Sequence, residues 1–496
     1  MFAKNTLWNL IYQLTAVIAG FLVPRAIIGV YGSEVNGLVV SLTQFIGYFA
    51  LVEAGISGAA TFALYKPLTQ GNWRNVNIVA SASRAFYQKS GVVFLLLLVA
   101  LSIAYPAFVS AGHLLPWEIV ALTFLLGAKV VVDFFSLSKY RVFLTADQKN
   151  WLIQVASTVY TLLNTAIIIA FTHLGAPVVA VYALALMAIF ARSAILAVYT
   201  RWRYPELDCK AGYGDYRLPQ RWDALFLQIL GAVQSGAPVI LATVLCGSMS
   251  EVSVLAVYLL VSNGLQMIPN VLGTGLQALF GRQIAEGDYK ALRSSYKPYR
   301  ALVYAVSAAA CGCAFSLILP FIDLYASGFH DANYHNALLG FLIVLNVFFY
   351  HGKSSQGLLV IAAGMYRETR YQTCLQAAII VALGVPLTIC FGAVGTVAAS
   401  CVSNLYRVVD LLLFEPTRIS RDSLASSFKS FGVYVLQTAL IALPGHLFAS
   451  FASSWLLWVA IALGLIAWSI VVIGLTLALF DRNSYRSIFN RFVRSR

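Results

Sequence analysis

Five basic side chains lie inside long apolar stretches of this 496-residue sequence: Arg25, Lys129, Arg192, Lys353 and Arg407. A charge at the centre of a membrane-spanning helix is unfavourable by about 2.5–3.5 kcal/mol on insertion scales, so such residues usually have a function. Three acids share these stretches: Glu53, Asp133 and Asp410. These stretches therefore contain five basic residues and three acids, so at least two positive charges would remain after every possible pairing. This surplus favours the binding of an anion.

Spacing along the chain predicts two ion pairs. Lys129 and Asp133 are four residues apart, and Arg407 and Asp410 are three apart, so each pair shares one helix face. Guanidinium groups match phosphate oxygens, and lysine adds a point charge. We therefore expect the five cations to bind a diphosphate or a similarly charged headgroup. Three acids are expected to couple ions or pair with these cations: Glu53, Asp133 and Asp410. Glu53 could carry a proton or cation, or neutralise Arg25.

The five cations also have structural alternatives. Arg25 and Arg192 lie towards the ends of their stretches and could extend their charged groups to the membrane surface. Lys129 and Arg407 could belong to ion pairs that only stabilise the fold. Lys353 belongs to the polar run His351-Gly352-Lys353-Ser354-Ser355-Gln356, which cannot face lipid and is expected to line a functional cavity.

The elements that carry these residues are predicted membrane-spanning helices. The mean hydropathy is +0.81, with 60% hydrophobic and 10% charged residues, which excludes an ordinary soluble domain. Each apolar stretch is long enough to cross a hydrocarbon core of about 30 Å. An all-α polytopic membrane protein of about fourteen helices is predicted, with spans near residues 7–30, 36–64, 91–112, 117–138, 151–172, 176–199, 223–246, 252–281, 301–326, 336–362, 372–391, 394–414, 430–449 and 455–480.

The remaining charges predict the orientation. Of the 33 Lys and Arg residues, 28 fall in alternate predicted loops or in the tails, which places both termini in the cytoplasm. The net charge of +14 then indicates affinity for anionic lipid headgroups. A nucleic-acid partner is not expected, because no soluble basic face is predicted. The seven cysteines do not suggest a disulfide framework, and no metal site is expected.

An internal repeat organises the chain. An offset of 217 pairs Glu34 with Glu251, Gly58 with Gly275 and Gly175 with Gly392. Since each half holds six predicted helices, the halves are parallel repeats about an axis normal to the bilayer, as in alternating-access transporters. The predicted domains are an N-lobe (1–200), a cytoplasmic linker (201–222), a C-lobe (223–416), and two further helices with a basic tail (417–496).

Polar residues at helical spacing mark the second and eighth predicted helices. Gln44 lies in the second, and the eighth carries Asn263, Gln266, Asn270, Thr274 and Gln277. Amides that faced lipid would lack hydrogen-bond partners, so these are expected to line a wet cavity between the lobes. The alternative is hydrogen bonding between packed helices.

Two motifs carry a family resemblance. The run Glu53-Ala54-Gly55-Ile56-Ser57-Gly58-Ala59, followed by Leu64-Tyr65-Lys66-Pro67, resembles the Wzx-type oligosaccharide flippases, as does Gly32-Ser33-Glu34-Val35-Asn36-Gly37-Leu38. These flippases form the polysaccharide transport branch of the multidrug/oligosaccharidyl-lipid/polysaccharide (MOP) exporter superfamily. The resemblance covers the whole chain in layout and implies a MATE-like fold with two six-helix repeats plus two C-terminal helices.

The resemblance also implies a function. An undecaprenyl-diphosphate-linked oligosaccharide would move from the inner to the outer leaflet of a bacterial plasma membrane by alternating access. A proton or sodium gradient would drive this transport, without a cofactor or an enzymatic reaction. Implied partners are membrane lipids and, for surface polysaccharide export, a polysaccharide polymerase and chain-length machinery. Family members have a cationic central cavity, which the five intramembrane cations could supply here.

Two other functions are compatible with a polytopic protein. A MATE-like multidrug or cation antiporter would need surplus acid in its cavity, whereas the apolar stretches carry surplus base. A membrane polysaccharide polymerase would need sizeable external loops with acids or arginines, and the predicted outer loops are short and lack Lys and Arg. A Walker-type phosphate loop is not found in the sequence, so the chain is not expected to hydrolyse ATP itself.

Overall fold

The computed structural model describes residues 2–53, 56–109, 111–112, 114–212, 214, 221–273 and 276–482. Across these ranges the secondary structure is helical, without strands, and fourteen helices are long and apolar enough to cross a membrane. The predicted all-α polytopic fold is confirmed. The chain divides into two compact units: unit 1 ends at Ser253 and unit 2 begins at Val254. The lobe and linker boundaries proposed from the sequence remain predictions.

Unit 1 contains ten helices in its described part, and α11 begins within it. They are α1 (Phe2–Tyr31), α2 (Ser33–Phe49), α3 (Ile56–Thr69), α4 (Trp73–Phe108), α5 (Pro116–Val132), α6 (Ser138–Ala146), α7 (Asn150–His173), α8 (Val178–Leu186), α9 (Ala188–Arg203) and α10 (Arg221–Leu245). Unit 2 holds the rest of α11 (Met249–Gly273), then α12 (Leu276–Ala285), α13 (Tyr289–Tyr325), α14 (Ala337–Ala362), α15 (Arg370–Phe391), α16 (Ala393–Arg418), α17 (Leu424–Ala449) and α18 (Trp455–Phe480).

The helix bounds follow the predicted repeat. Tyr289 of α13 comes 216 residues after Trp73 of α4, and Tyr325 comes 217 residues after Phe108. Both helices also begin with the same type of N-cap, in which an Asn or Asp side chain accepts a backbone amide of the first turn. Gly275, used to set the offset from the sequence, lies outside the described residues.

Equivalent positions of the repeat meet inside unit 1. The Asn36 amide of α2 donates to the Ser253 hydroxyl of α11 at 2.8 Å, and the two residues are 217 positions apart. A Cβ at the neighbouring Gly37 would lie 1.9 Å from the Met249 carbonyl oxygen. Glycine is therefore required there, because only a bare backbone lets α2 approach the first turn of α11 this closely.

The second predicted span is not one regular α-helix. Residues 36–64 contain α2, a 3₁₀ turn at Ala50–Glu53 and α3. Apolar composition predicts a buried segment but not a local change of helix type. In the eighth predicted span, 252–281, α11 extends to Gly273 and α12 begins at Leu276, so Gln277 lies on α12. Ala54, Gly55, Thr274 and Gly275 are outside the described residues.

Two helices extend far beyond the predicted spans. The 36 residues of α4 and the 37 of α13 correspond to about 55 Å of helix, against a hydrocarbon core of about 30 Å. Arg84 and Lys89 therefore lie on α4, and Arg293 and Lys297 on α13, rather than in loops as predicted. In unit 2 the buried side chains Phe280, Tyr296 and Leu359 belong to the core that holds this extension in place.

A π-helical segment, Asp133–Leu137, joins α5 to α6. Its backbone bond runs from the Ser138 amide to the Asp133 carbonyl, five residues back. Single π turns are uncommon and concentrate at functional sites. This one begins at an acid that the sequence analysis selected, and it determines which side chains that acid meets.

Candidate functional site

Unit 1 holds a linked network of two acids and two arginines. The Arg141 guanidinium of α6 lies 2.9 Å from the Asp133 carboxylate and 3.2 Å from the Glu53 carboxylate. Arg192 of α9 lies 3.9 Å from the other Asp133 oxygen. All four side chains are partly buried. The two acids and two arginines cancel in net charge, so the network is neutral while both acids are ionised.

The π segment explains how Arg141 reaches Asp133. Eight residues separate them, which in an unbroken α-helix would place them about 80° apart around the axis. A π turn winds more slowly than an α turn and so rotates Arg141 back towards the face of Asp133. The sequence analysis missed Arg141 because it lies past the predicted end of its span. The signal that could have indicated it is a basic residue two turns beyond an intramembrane acid.

The predicted Lys129–Asp133 ion pair is wrong. Asp133 is paired with Arg141 and Arg192 instead, since those guanidinium groups approach from α6 and α9. Lys129 is half-buried in α5, and across the described ranges no carboxylate lies within 4.0 Å of its ammonium. Glu53 is paired with Arg141. Arg25 is half-buried in α1.

Unit 2 holds a different arrangement around Lys353 of α14. Its ammonium donates to the side-chain amide oxygen of Asn404, on α16, at 2.6 Å. The same oxygen accepts from the Gln376 amide at 3.2 Å, and the Asn404 amide donates to Asn346 at 2.7 Å. Every one of these partners is neutral. The amides therefore solvate the ammonium without cancelling its charge.

The predicted Arg407–Asp410 pair is confirmed. The Arg407 guanidinium lies 2.6 Å from the Asp410 carboxylate, one turn along α16, and is 9% exposed. Arg407 lies one turn beyond Asn404, the partner of Lys353, on α16. This group of residues, Lys353, Asn404, Arg407 and Asp410, is called the α14–α16 cluster below. It holds two basic side chains and one acid, so it has one more base than acid.

Most of the polar run around Lys353 does not line a cavity. His351, Ser355 and Gln356 are fully buried. The His351 ring lies 3.1 Å from the Leu265 carbonyl, and Gln356 donates to the Tyr304 hydroxyl at 2.7 Å. These side chains satisfy one another between packed helices. Of the residues in this run, Lys353 is the one that joins the α14–α16 cluster.

The predicted polar stripe divides into exposed and packed members. Asn263 and Asn270 of α11 and Gln277 of α12 are exposed, while Gln266 is half-buried and donates to Ser262 at 2.9 Å. Gln44 is packed against α10: a Cβ at Gly236 would lie 2.1 Å from its amide nitrogen. For the exposed amides, the predicted contact with a wet cavity remains a prediction. Gln44 instead packs between helices, as in the alternative prediction.

Known structures with a similar fold are membrane transporters. An inward-facing multidrug-resistance MATE family transporter of the MOP superfamily matches at a TM-score of 0.66 and 14% identity, over 82% of this chain and 95% of that one. The lipid II flippase MurJ, in an inward closed conformation, matches at 0.61 and 12% identity, over 96% and 99%. An outward-facing MATE family transporter matches at 0.56 and 14% identity, over 84% and 95%.

Sequence comparisons add no closer relative. No protein-family model matches the chain, and no curated protein sequence matches it. At 12–14% identity the structural likeness concerns the backbone arrangement, not the chemistry of the site. This chain is therefore a multi-pass membrane protein with the fold shared by MATE transporters and the lipid II flippase MurJ.

Proposed function

We propose that this chain is a flippase for a lipid-linked oligosaccharide. It would move an undecaprenyl-diphosphate-linked oligosaccharide from the inner to the outer leaflet of a bacterial plasma membrane, by alternating access, for surface polysaccharide export. The fold supports a transporter, and the similarity to a structure named as a lipid II flippase makes a lipid-linked cargo plausible on this scaffold. The cargo class itself is argued from the residues of this chain.

The α14–α16 cluster is the observation that carries the proposal. Lys353 is held by a neutral amide, and Arg407 by one acid, so the cluster retains a net positive charge among packed helices. In such a low-dielectric setting an uncompensated cation attracts anions strongly. A diphosphate supplies several oxygens to a lysine and an arginine together, and the arginine fork can bind two of them at once.

The unit 1 network supports ion coupling. Glu53 and Asp133 share Arg141, so protonation of either acid, or its neutralisation by a sodium ion, would weaken one bond of a single guanidinium. The π segment at Asp133 offers a place where the helix can change its winding. We propose that Glu53 and Asp133 couple the proton or sodium gradient to transport.

A MATE-like cation antiporter is the second candidate, and the unit 1 acids are the observation that favours it. Glu53 and Asp133 would then bind a cationic cargo directly. The two functions differ in which substitutions affect binding of the cargo. Neutralising Lys353 and Arg407 should abolish binding of an anionic lipid and leave binding of a cationic compound unchanged.

The test is a charge-neutralising series in a strain that depends on this gene for surface polysaccharide. Lys129→Ala, Lys353→Ala and Arg407→Ala are combined, and polymer is measured alongside the amount of protein in the membrane. We expect polymer to fall at least tenfold. Arg201→Ala, which removes an exposed cation of α9, is the matched control and should leave polymer unchanged. Normal polymer in the triple variant, at normal protein levels, would reject the anion site.

A further inference from the structure

A cavity of about 560 Å³ lies in unit 2 where α13 and α17 begin and α18 ends. Four cations line it: Arg293, Lys297, Arg300 and Lys429. It is called the α13–α17–α18 cavity below. It involves none of the α14–α16 cluster residues, and the charge placement in the sequence predicts that this end of the helices faces the cytoplasm.

Two of the four cations are matched by acids. Lys297 lies 3.0 Å from the Asp422 carboxylate, and Arg300 lies 3.7 Å from Glu415. The Arg300 guanidinium is buried and also donates to the Ser430 hydroxyl at 2.9 Å. These two pairs are each neutral, so the net charge of the cavity depends on its other lining residues.

The other two cations have no matching carboxylate in the part of the chain that the structure describes. Arg293 donates to the backbone carbonyl of Arg421 at 2.7 Å, which is a neutral acceptor. Lys429 is exposed, and within the described ranges it forms no ion pair. Asp481 is the one acid among the lining residues in the described ranges. The cavity therefore keeps an excess of positive charge beside the hydroxyls of Ser426 and Ser430.

The remaining wall is apolar. Val433, Leu477 and Phe480 line the cavity, and Phe480 is 44% exposed. Gln437 also lines the cavity, and its buried amide donates to the Thr476 hydroxyl at 2.8 Å. The space thus has a basic end and an apolar side. A small soluble anion would leave the apolar side unused.

We infer that the α13–α17–α18 cavity binds the phosphate-bearing headgroup of an anionic phospholipid. The phosphate would lie between Arg293 and Lys429, and the first carbons of the acyl chains would run along Leu477 and Phe480. Anionic lipids in the cytoplasmic leaflet are attracted by basic residues at the surface, and a shaped pocket converts that attraction into a defined site. The inferred role is a specific site for a structural lipid, separate from the transported cargo.

The test is calorimetric titration of the purified full-length protein in an uncharged detergent. The probes are dihexanoyl phosphatidylglycerol, dihexanoyl phosphatidylcholine and inorganic phosphate. We expect saturable binding of phosphatidylglycerol, and binding at least tenfold weaker after Arg293→Ala and Lys429→Ala are combined. Lys290→Ala is the matched control, because Lys290 is exposed on the first turn of α13 but does not line the cavity.

A second variant distinguishes loss of the binding site from unfolding of the protein. Val433→Trp fills the cavity and leaves every charge in place, so it should weaken binding as much as the double alanine variant. The absence of saturable binding to the wild type, or equal weakening by Lys290→Ala, would overturn the inference in favour of diffuse surface charge. Equal affinity for inorganic phosphate would overturn the lipid assignment and identify a soluble anion as the ligand.

Discussion

The charged network of unit 1 and the α14–α16 cluster of unit 2 differ in their charge balance. In the unit 1 network, Arg141 is shared by Glu53 and Asp133, and Arg192 approaches the same aspartate, so the acids and bases of this network balance. In the α14–α16 cluster, Lys353 is held by the neutral Asn404, whereas Arg407 has an acid partner. The helices that carry these residues are related by the repeat. The helix arrangement is thus repeated, whereas the charges at the two sites are not.

This difference suggests a division of roles. A balanced network loses its balance when a proton or cation binds to an acid, which suits a gradient-driven switch. A cluster with surplus positive charge has no internal partner for that charge, which suits the binding of an anionic cargo. Changing the charges of the unit 1 network should therefore affect ion coupling but not cargo binding. Changing those of the α14–α16 cluster should affect cargo binding but not ion coupling.

The largest effect is expected for Arg141→Ala, which leaves two partly buried acids without their shared partner. Breaking a buried ion pair by removing one partner is unfavourable by about 3–5 kcal/mol, and because these side chains are partly exposed we expect a loss of about 3 kcal/mol. Thermal unfolding in detergent measures it. Adding Glu53→Gln should restore most of the stability, because Asp133 then keeps Arg192 as its partner. A double variant as unstable as Arg141→Ala would contradict the shared network, and Arg201→Ala is the control.

A second effect is expected for Asn404→Asp, which would give the α14–α16 cluster the balance of acids and bases found in the unit 1 network. The new carboxylate would lie beside the Lys353 ammonium, where the Asn404 oxygen now lies at 2.6 Å, and would cancel its charge. We expect transport of a lipid diphosphate into the outer leaflet of proteoliposomes to fall at least tenfold. Most of the thermal stability should be kept, because the stronger bond from Lys353 to a charged acceptor offsets the lost bond from the Asn404 amide to Asn346. Asn404→Asp with normal transport would show that the surplus charge is irrelevant.

The smallest effect is expected at Asp422, outside the membrane-spanning helices. Although burial opposes ionisation of this carboxyl, hydrogen bonds from Lys297 and from the Ser423 backbone hold its pKa below the usual value of 3.8. A lowered folded-state pKa stabilises the protein at neutral pH, and this contribution is lost as pH falls through that pKa. Asp422→Asn should therefore be destabilising by less than about 1 kcal/mol at pH 7. The difference from wild type should shrink progressively as the pH falls below 3.8, and a difference that does not change with pH would refute the assignment.

Local patterns in the sequence predicted local features of the structure. The lengths of the apolar stretches gave fourteen spans, and the three-residue spacing of Arg407 and Asp410 gave their ion pair. Contacts between helices distant in the sequence could not be predicted. Lys353 and Asn404 are 51 residues apart, for example, and no periodicity relates them. Arg141 was missed for a different reason. A π turn changes the helical phase, and the 3.6-residue period used to read the sequence does not allow for it.

The most direct test of the central claim, that the surplus cation of unit 2 holds the diphosphate, is equilibrium binding of a fluorescent undecaprenyl diphosphate to the purified protein. Wild type is compared with Lys353→Met, which keeps the length of the side chain without its charge, and with Lys353→Arg, which keeps the charge. The account predicts that Lys353→Met binds at least tenfold more weakly and that Lys353→Arg retains most of the affinity. Equal affinity of wild type and Lys353→Met would contradict it.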